Sequence, residues 1–217
     1  VYCMPAEPEW VPQPEILSFE ELGRLVRGAV SLGITDFRIT GGAPTAPKDL
    51  PELVRTLVAV PGGRDLALTT NGIMLKRLAA PLWEAGLRRL NVSLDTLKGE
   101  KFVHIARRNG FREVWEGIEA ADRAGFRPLK INMVVMRGVN DDEVVEFAAM
   151  ARTHPWNIRF IEFMPLDGDG IWSRDKVVPA SEILATIHAR WPLDLKAEGP
   201  LSDPARIFRF KDGVGDI

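Results

Sequence analysis

The sequence predicts an α/β protein built as a partial (βα) barrel, TIM-like, with parallel strands inside and helices outside. Short apolar, β-branched runs alternate with longer amphipathic stretches at intervals of about 25–40 residues, which is the rhythm of successive βα units. At least five such units recur without an obvious reversal of order. The competing doubly wound sheet lacks its fingerprint, because "GGAP" has too few glycines at the wrong spacing for G-x-G-x-x-G.

The strand candidates, in order, are "FRIT" (37–40), "LALTT" (66–70), "RLNVSL" (89–94), "LKINMVVM" (129–136) and "NIRFIEFM" (157–164). Helical patterns separate them. "SFEELGRLVRGAVSLG" places Phe19, Leu22, Leu25, Val26 and Ala29 at helical spacing. Ser18 and Glu21 form a capping box in front of it, and Gly33 is placed to end it. "NDDEVVEFAAMART" repeats the design, with Asn140 as the expected N-cap and Glu143 three residues on. "AAPLWEAGL" and "FREVWEGIEAADRAGF" each end near a glycine that precedes the next strand.

A strand of a parallel sheet normally reads as an unbroken apolar run. Here polar residues interrupt the runs toward their ends: Arg38 and Thr40, Thr69 to Asn71, Asn91, Ser93 and Asp95, Lys130 and Asn132, Arg159 and Glu162. At alternate positions they share one face, and a barrel interior lined this way is costly unless it faces a ligand. A self-satisfied polar core with Arg–Glu pairs is the structural alternative. In either α/β architecture the chemistry belongs at the C-terminal ends of the strands. Arg38, Lys130 and Arg159 together suit a phosphate or carboxylate.

Composition narrows the function classes. With 46% hydrophobic and 27% charged residues the chain of 217 can bury a sizeable core as one domain. A net charge of −2 gives no basic field for nucleic acid or an anionic membrane. No apolar run spans a bilayer and no signal-peptide pattern opens the chain. The single cysteine, Cys3 in "VYCMPAE", fits a reducing cytoplasm and excludes an internal disulfide. Taken alone, Cys3 reads either as a small buried hydrophobe or as the last member of a cluster motif. The three histidines, His104, His154 and His188, show no metal spacing and read as surface or structural groups. "RR" at Arg107–Arg108 reads as a solvated turn. No Ser-His-Asp or HExxH pattern is present.

In chain order, "YCMP", "RITGGAP", "TTNG", "NVSLDTL", "LKINMVVMRGVNDDE" and "IRFIEFMPLDG" resemble the GTP 3',8-cyclase family of radical S-adenosylmethionine (radical SAM) enzymes, which serves molybdenum cofactor biosynthesis. The resemblance runs over nearly the whole chain and makes the expected fold the radical SAM partial barrel. It implies a lyase-type cyclisation of GTP driven by a 4Fe–4S iron–sulfur cluster and S-adenosylmethionine. Cys3 resembles the third cysteine of the family's CxxxCxxC motif, as metal ligand. Tyr2, Gly42, Ser93 and Met164 resemble its S-adenosylmethionine contacts, and Arg38, Thr69 and Lys130 its GTP-binding contacts. The family also carries a second cluster and a Gly-Gly tail, expected here beyond Ile217, as the first two cluster cysteines are expected before Val1. On that reading residues 1–217 are one barrel domain lacking both cluster segments and inactive without them. No catalytic residue is expected beyond the cluster and its S-adenosylmethionine. A homodimer and a downstream pyranopterin-forming enzyme are the implied protein partners.

The sequence departs from the family pattern at Ala43, where a glutamate is usual, and at Ala46 and Pro47, where a leucine and an arginine are expected. These departures are the best support for a non-catalytic nucleotide-binding barrel. A peptide maturase of the radical SAM type is the other alternative, against which the paired cations Arg38 and Lys130 weigh.

Overall fold

The computed structural model describes residues 15–40, 50–166, 170–197, 205–213 and 215–217. Five strands lie in one sheet in chain order: β1 (Asp36–Ile39), β2 (Asp65–Thr70), β3 (Arg89–Ser93), β4 (Leu129–Val135) and β5 (Trp156–Glu162). The pairs β1–β2, β2–β3 and β4–β5 are parallel. Each of the five predicted strands is present, within two residues at either end. The parallel plan then stops, because β6 (Leu193–Ala197) and β7 (Ile207–Phe210) form a separate antiparallel pair.

The chain divides into two compact units. One takes its described residues from Glu7–Val92 and Arg112–Arg127, the other from Ser93–Phe111 and Pro128–Ile217. In the first unit α1 (Phe19–Ser31) begins at the capping box that the sequence predicts. Ser18 Oγ accepts from the Glu21 N–H at 3.2 Å, and Glu21 Oε2 accepts from the Ser18 N–H at 2.8 Å. Each satisfies an amide that the helix start leaves without a partner. The helices α2 (Leu50–Val58), α3 (Leu75–Glu84) and α5 (Phe111–Ala124) complete the unit. Its core is made by Leu68, Leu90 and Val92 from the strands with Val54, Leu82, Val114, Ile118 and Phe126. Each fully buried aliphatic side chain stabilises the fold by about 1.5–3 kcal/mol.

In the second unit β4 alternates cleanly. Leu129, Ile131, Met133 and Val135 are fully buried, while Lys130, Asn132 and Val134 between them are half-buried. The apolar side chains share their core with Ile158 of β5, with Phe147, Ala148 and Ala151 of α6 (Val144–Thr153), and with Ile183 and Ile187 of α7 (Ala180–Arg190). Helix α4 (Gly99–Ala106) adds Phe102 and Ile105.

The second predicted cap does not form. The chain enters α6 through a 3₁₀ turn at Asp141–Glu143, and Asn140 makes no side-chain cap bond. Asn140 and Glu143 are both fully buried, and their polar groups are spent on distant segments instead of on the helix start.

Candidate functional site

Strand alternation and register sort the polar residues onto faces. In the first unit Arg38 lies level with Ala67, and Thr69 level with Asn91. Arg38, Ala67, Thr69 and Asn91 therefore share one face of β1–β3, and Leu68, Leu90 and Val92 occupy the other. Arg38 is exposed and Thr69 half-buried. Asn91 is only 3% exposed and donates from Nδ2 to Thr69 Oγ1 at 3.1 Å, which fixes the hydroxyl as an acceptor on that side.

The "TTNG" turn follows directly. Thr70 Oγ1 accepts from the Gly72 N–H at 3.3 Å, and Asn71 Oδ1 from the Ile73 N–H at 3.2 Å. Gly72 has φ +82°, a left-handed conformation that glycine adopts without steric cost. Helix α5 presses on the turn at Gly117, where a Cβ would stand 2.5 Å from the Gly72 carbonyl oxygen.

In the second unit Lys130, Asn132 and Val134 lie level with Asn157, Arg159 and Ile161. This face carries two cations and two amides on neighbouring strands. Among the described residues one buried side-chain polar atom has no hydrogen-bond partner, Asn132 Oδ1. A buried acceptor left unmade costs about 1–3 kcal/mol, so this amide oxygen is a place where a further donor would be stabilised. The end of β3 runs alongside: the Leu94 N–H donates to the Asn132 carbonyl at 2.9 Å, bringing Ser93 beside this amide.

Glu162 does not belong to this face, contrary to the sequence expectation. It lies an odd number of residues from Arg159 and level with Val135, so it points the other way. Its Oε1 accepts from the Ala180 N–H at 2.6 Å and so caps the start of α7. Met164, just beyond β5, is 51% exposed. Its neighbour Phe163 is buried with Ile105 and Met136, against Val134, Val139, Ile171 and Trp172. Trp172 Nε1 donates to the Phe163 carbonyl at 3.0 Å. That cluster anchors the segment, with Met164 beside it left half exposed.

A further set of buried polar contacts ties the loops at the C-terminal ends of β3 and β4. Asp95 Oδ1 accepts from the Val134 N–H at 2.8 Å. Asn140 Nδ2 donates to the carbonyls of Asp95 (2.7 Å) and Val134 (2.9 Å), while its Oδ1 accepts from the Met136 N–H at 2.7 Å. The Glu143 carboxylate accepts from Thr96 Oγ1 at 2.8 Å, the Leu97 N–H at 2.7 Å and Lys101 Nζ at 3.2 Å. Asp142, beside it, pairs with Lys101 and Lys98; those two hydrogen bonds pull its carboxyl down from the usual 3.8 to about 2. The sequence reading missed these roles for Asn140 and Glu143. The signal available was three acidic residues and an asparagine in one short run, which local pattern assigned to a helix cap.

Of the anticipated site residues, Arg38 and Thr69 thus share one face in the first unit. Ser93 and Lys130 lie at the β3 end and on β4 in the second, with Met164 at the end of β5. Tyr2, Cys3 and Gly42, with Ala43, Ala46 and Pro47, lie outside the described residues. His104 and His188 are exposed, and His154 stacks on Trp156 at 4.1 Å, as structural or surface groups should. Arg107 and Arg108 form an exposed turn, Arg107 with φ +57°. Among the described residues no group of three or more His, Cys, Asp or Glu could hold a metal ion, and no helix is long and apolar enough to cross a membrane.

A parallel sheet with polar residues gathered on one side at the strand ends is the frame of a large class of enzymes. Residues 1–151 match the model of the Radical SAM superfamily. The solved methylornithine synthase superposes with a TM-score of 0.62 at 17% identity, over 79% of this chain and 52% of that one, which shows the shared fold. A GTP 3',8-cyclase of Moorella thermoacetica is 46% identical over 219 residues, covering 100% of this chain and 67% of that protein. Molybdenum cofactor biosynthesis protein 1 of Mus musculus is 43% identical over 217 residues, covering 100% of this chain and 34% of that protein. The chain belongs to the radical SAM superfamily and, within it, to the GTP 3',8-cyclase family; it spans about two thirds of the length of the bacterial relative.

Membership of the superfamily implies S-adenosylmethionine and a 4Fe–4S cluster. The described residues fit the first: Asn132 Oδ1 calls for a donor, which an amino or hydroxyl group of such a ligand provides. For the cluster they supply no ligand set, Cys3 being outside them.

Proposed function

We propose that residues 1–217 form one barrel domain of a GTP 3',8-cyclase, cytoplasmic, acting on GTP at the first step of molybdenum cofactor biosynthesis. The observation that carries the reading is the similarity of the entire chain to GTP 3',8-cyclases at 42–46% identity. The polar face of β4–β5, with its unpartnered amide oxygen, supports it independently.

On this reading Lys130 holds a phosphate group of GTP. An ammonium is a compact point charge that pairs with a phosphate oxygen without fixing its orientation. Arg38 adds a planar fork of donors, and Thr69, oriented by Asn91, a hydroxyl. Ser93 meets the methionyl carboxylate of S-adenosylmethionine, and Met164 packs near its adenine. Tyr2 and Gly42 complete that set, and Cys3 is one ligand of the N-terminal cluster. When bound, the cluster and S-adenosylmethionine supply the one-electron chemistry of the superfamily. The chain's own residues bind, orient and exclude water. A second cluster, a homodimer and a downstream enzyme that builds the pyranopterin further belong to the same proposal.

Lys130→Ala tests it. In the cluster-loaded protein at its natural full length, GTP affinity should fall by about tenfold or more, the loss of a charged hydrogen bond. Affinity for S-adenosylmethionine should stay within about twofold. Equal loss of both ligands would remove Lys130 from the GTP site.

A further inference from the structure

We propose that Asn140 and Asp95 are positioning residues that set the spacing between Ser93 and Asn132, and so the affinity for S-adenosylmethionine. The inference rests on the assignment of Ser93 to that ligand.

The Leu94 N–H still pairs with the Asn132 carbonyl at 2.9 Å, in the manner of a strand. One step further the Val134 N–H is met by the carboxylate of Asp95 at 2.8 Å. A side-chain oxygen here satisfies an amide that a backbone carbonyl would take in a regular ladder. The main chain of Asp95 is then free to bend away from β4 without leaving a buried donor unmade. β3 itself ends at Ser93, and Asp95 and Val134 lie two residues beyond Ser93 and Asn132 respectively.

Asn140 ties the two segments together beyond that point. Its amide group bridges the carbonyls of Asp95 and Val134, one on each side, and its oxygen takes the Met136 N–H. Three of the hydrogen bonds that an amide side chain can make are thereby used, all to main chain, and the residue is 0% exposed. Glu143, equally buried, repeats the device one layer out, holding Thr96 and Leu97. Neither Asn140 nor Glu143 serves the helix that follows, where a cap is the usual use of such residues. Two fully buried polar side chains are thus committed to the relative position of two strand ends. Those ends carry Ser93 and the unpartnered Asn132 Oδ1.

The test uses the full-length, cluster-loaded protein for ligand affinity, and the same protein without cluster for amide hydrogen exchange. In Asn140→Ala the Val134 and Leu94 amides should lose protection. The dissociation constant for S-adenosylmethionine should rise about tenfold to hundredfold, while that for GTP moves by less than about threefold. The loss should be non-additive with Ser93→Ala, because both act on the same contact. Asp95→Ala should behave as Asn140→Ala does, and Asp95→Asn, which keeps an acceptor for the Val134 N–H, should recover most of the affinity.

If Ser93→Ala leaves S-adenosylmethionine binding unchanged, the site assignment fails and the inference fails with it. If Ser93→Ala weakens binding but Asn140→Ala changes neither exchange nor affinity, the positioning role alone is overturned. Parallel loss of both ligands with a lowered Tm in Asn140→Ala also overturns it, in favour of a merely structural role. Should Asn140→Ala not fold, the Asp95→Ala and Asp95→Asn pair decides: equal affinities in the two variants reject the proposal.

Discussion

One glycine-to-alanine substitution made at two places in the first unit should change stability in opposite directions. Gly117 sits in α5 against the "TTNG" turn. A methyl group there would stand 2.5 Å from the Gly72 carbonyl oxygen and 2.9 Å from Leu75 Cβ. Ordinary contact begins near 3.4 Å, so the helix must retreat by most of an ångström from a piece of backbone that cannot rotate away. Gly72 cannot yield easily, because its own φ is +82° and its space is bounded by Val92 and Val114. Overpacking of this kind costs about 1–3 kcal/mol and sometimes more, against a gain of about 1 kcal/mol from replacing a helical glycine. The net expectation for Gly117→Ala is a loss of up to about 2 kcal/mol, or a fall in Tm of up to about 8 °C. Gly28 lies in α1 with nothing within 4 Å of the position a Cβ would take. Gly28→Ala should collect the helix-propensity gain alone, about 0.5–1 kcal/mol. The assay is thermal and denaturant unfolding of both variants beside the parent. If Gly117→Ala is as stable as Gly28→Ala, the close approach of α5 to the turn is not what holds Thr69 and Asn71 in place.

The second unit offers three more. Glu143→Ala leaves the Thr96 hydroxyl and the Leu97 amide without their shared acceptor, while Lys101 keeps Asp142, and should cost about 2–4 kcal/mol in denaturant unfolding. Asp142 has a folded-state carboxyl held below its unfolded value, so its contribution is present above about pH 4 and is lost as pH falls toward 2. Because the side chain is half exposed, that contribution is at most about 1 kcal/mol. Asp142→Asn should lower stability above pH 5 by at most about 1 kcal/mol and converge with the parent near pH 2, so that its acid limb is flatter, as acid titrations of the two would reveal. Glu162→Ala removes the acceptor at the start of α7 and should lower stability by about 0.5–2 kcal/mol without altering affinity for GTP; a lost GTP affinity would return Glu162 to the ligand face.

The strands and their order were legible because each is a short run rich in apolar and β-branched residues, separated from the next by a helical pattern. The capping box at Ser18 and Glu21 was legible for a similar reason: all its partners lie within three residues. The identical spacing at Asn140 and Glu143 misled, since the competing partners Asp95, Thr96 and Leu97 lie more than forty residues away in sequence. A buried tertiary acceptor outbids a solvent-exposed helix end, and no local window contains it. Glu162 was misplaced by a different fault. Its composition matched its neighbours on the strand, but its parity did not, and parity alone decides which side of a sheet a residue meets. The closing hairpin β6–β7 broke the parallel rhythm without a strong signal, being short, exposed at Leu195 and interrupted by a shift in pairing after that residue.

The alternation along β4 constrains how this gene can vary. Any substitution at Lys130 or Asn132 affects one side chain, but deletion of a single codon within 129–135 would exchange the two sides of the strand beyond it. Leucine, isoleucine or methionine would be turned toward a water-soluble ligand, and lysine or asparagine driven into the packed layer beneath α6 and α7. A change of length within this strand is therefore costlier than a change of composition, and insertions among homologous genes should collect in the connections between strands and helices.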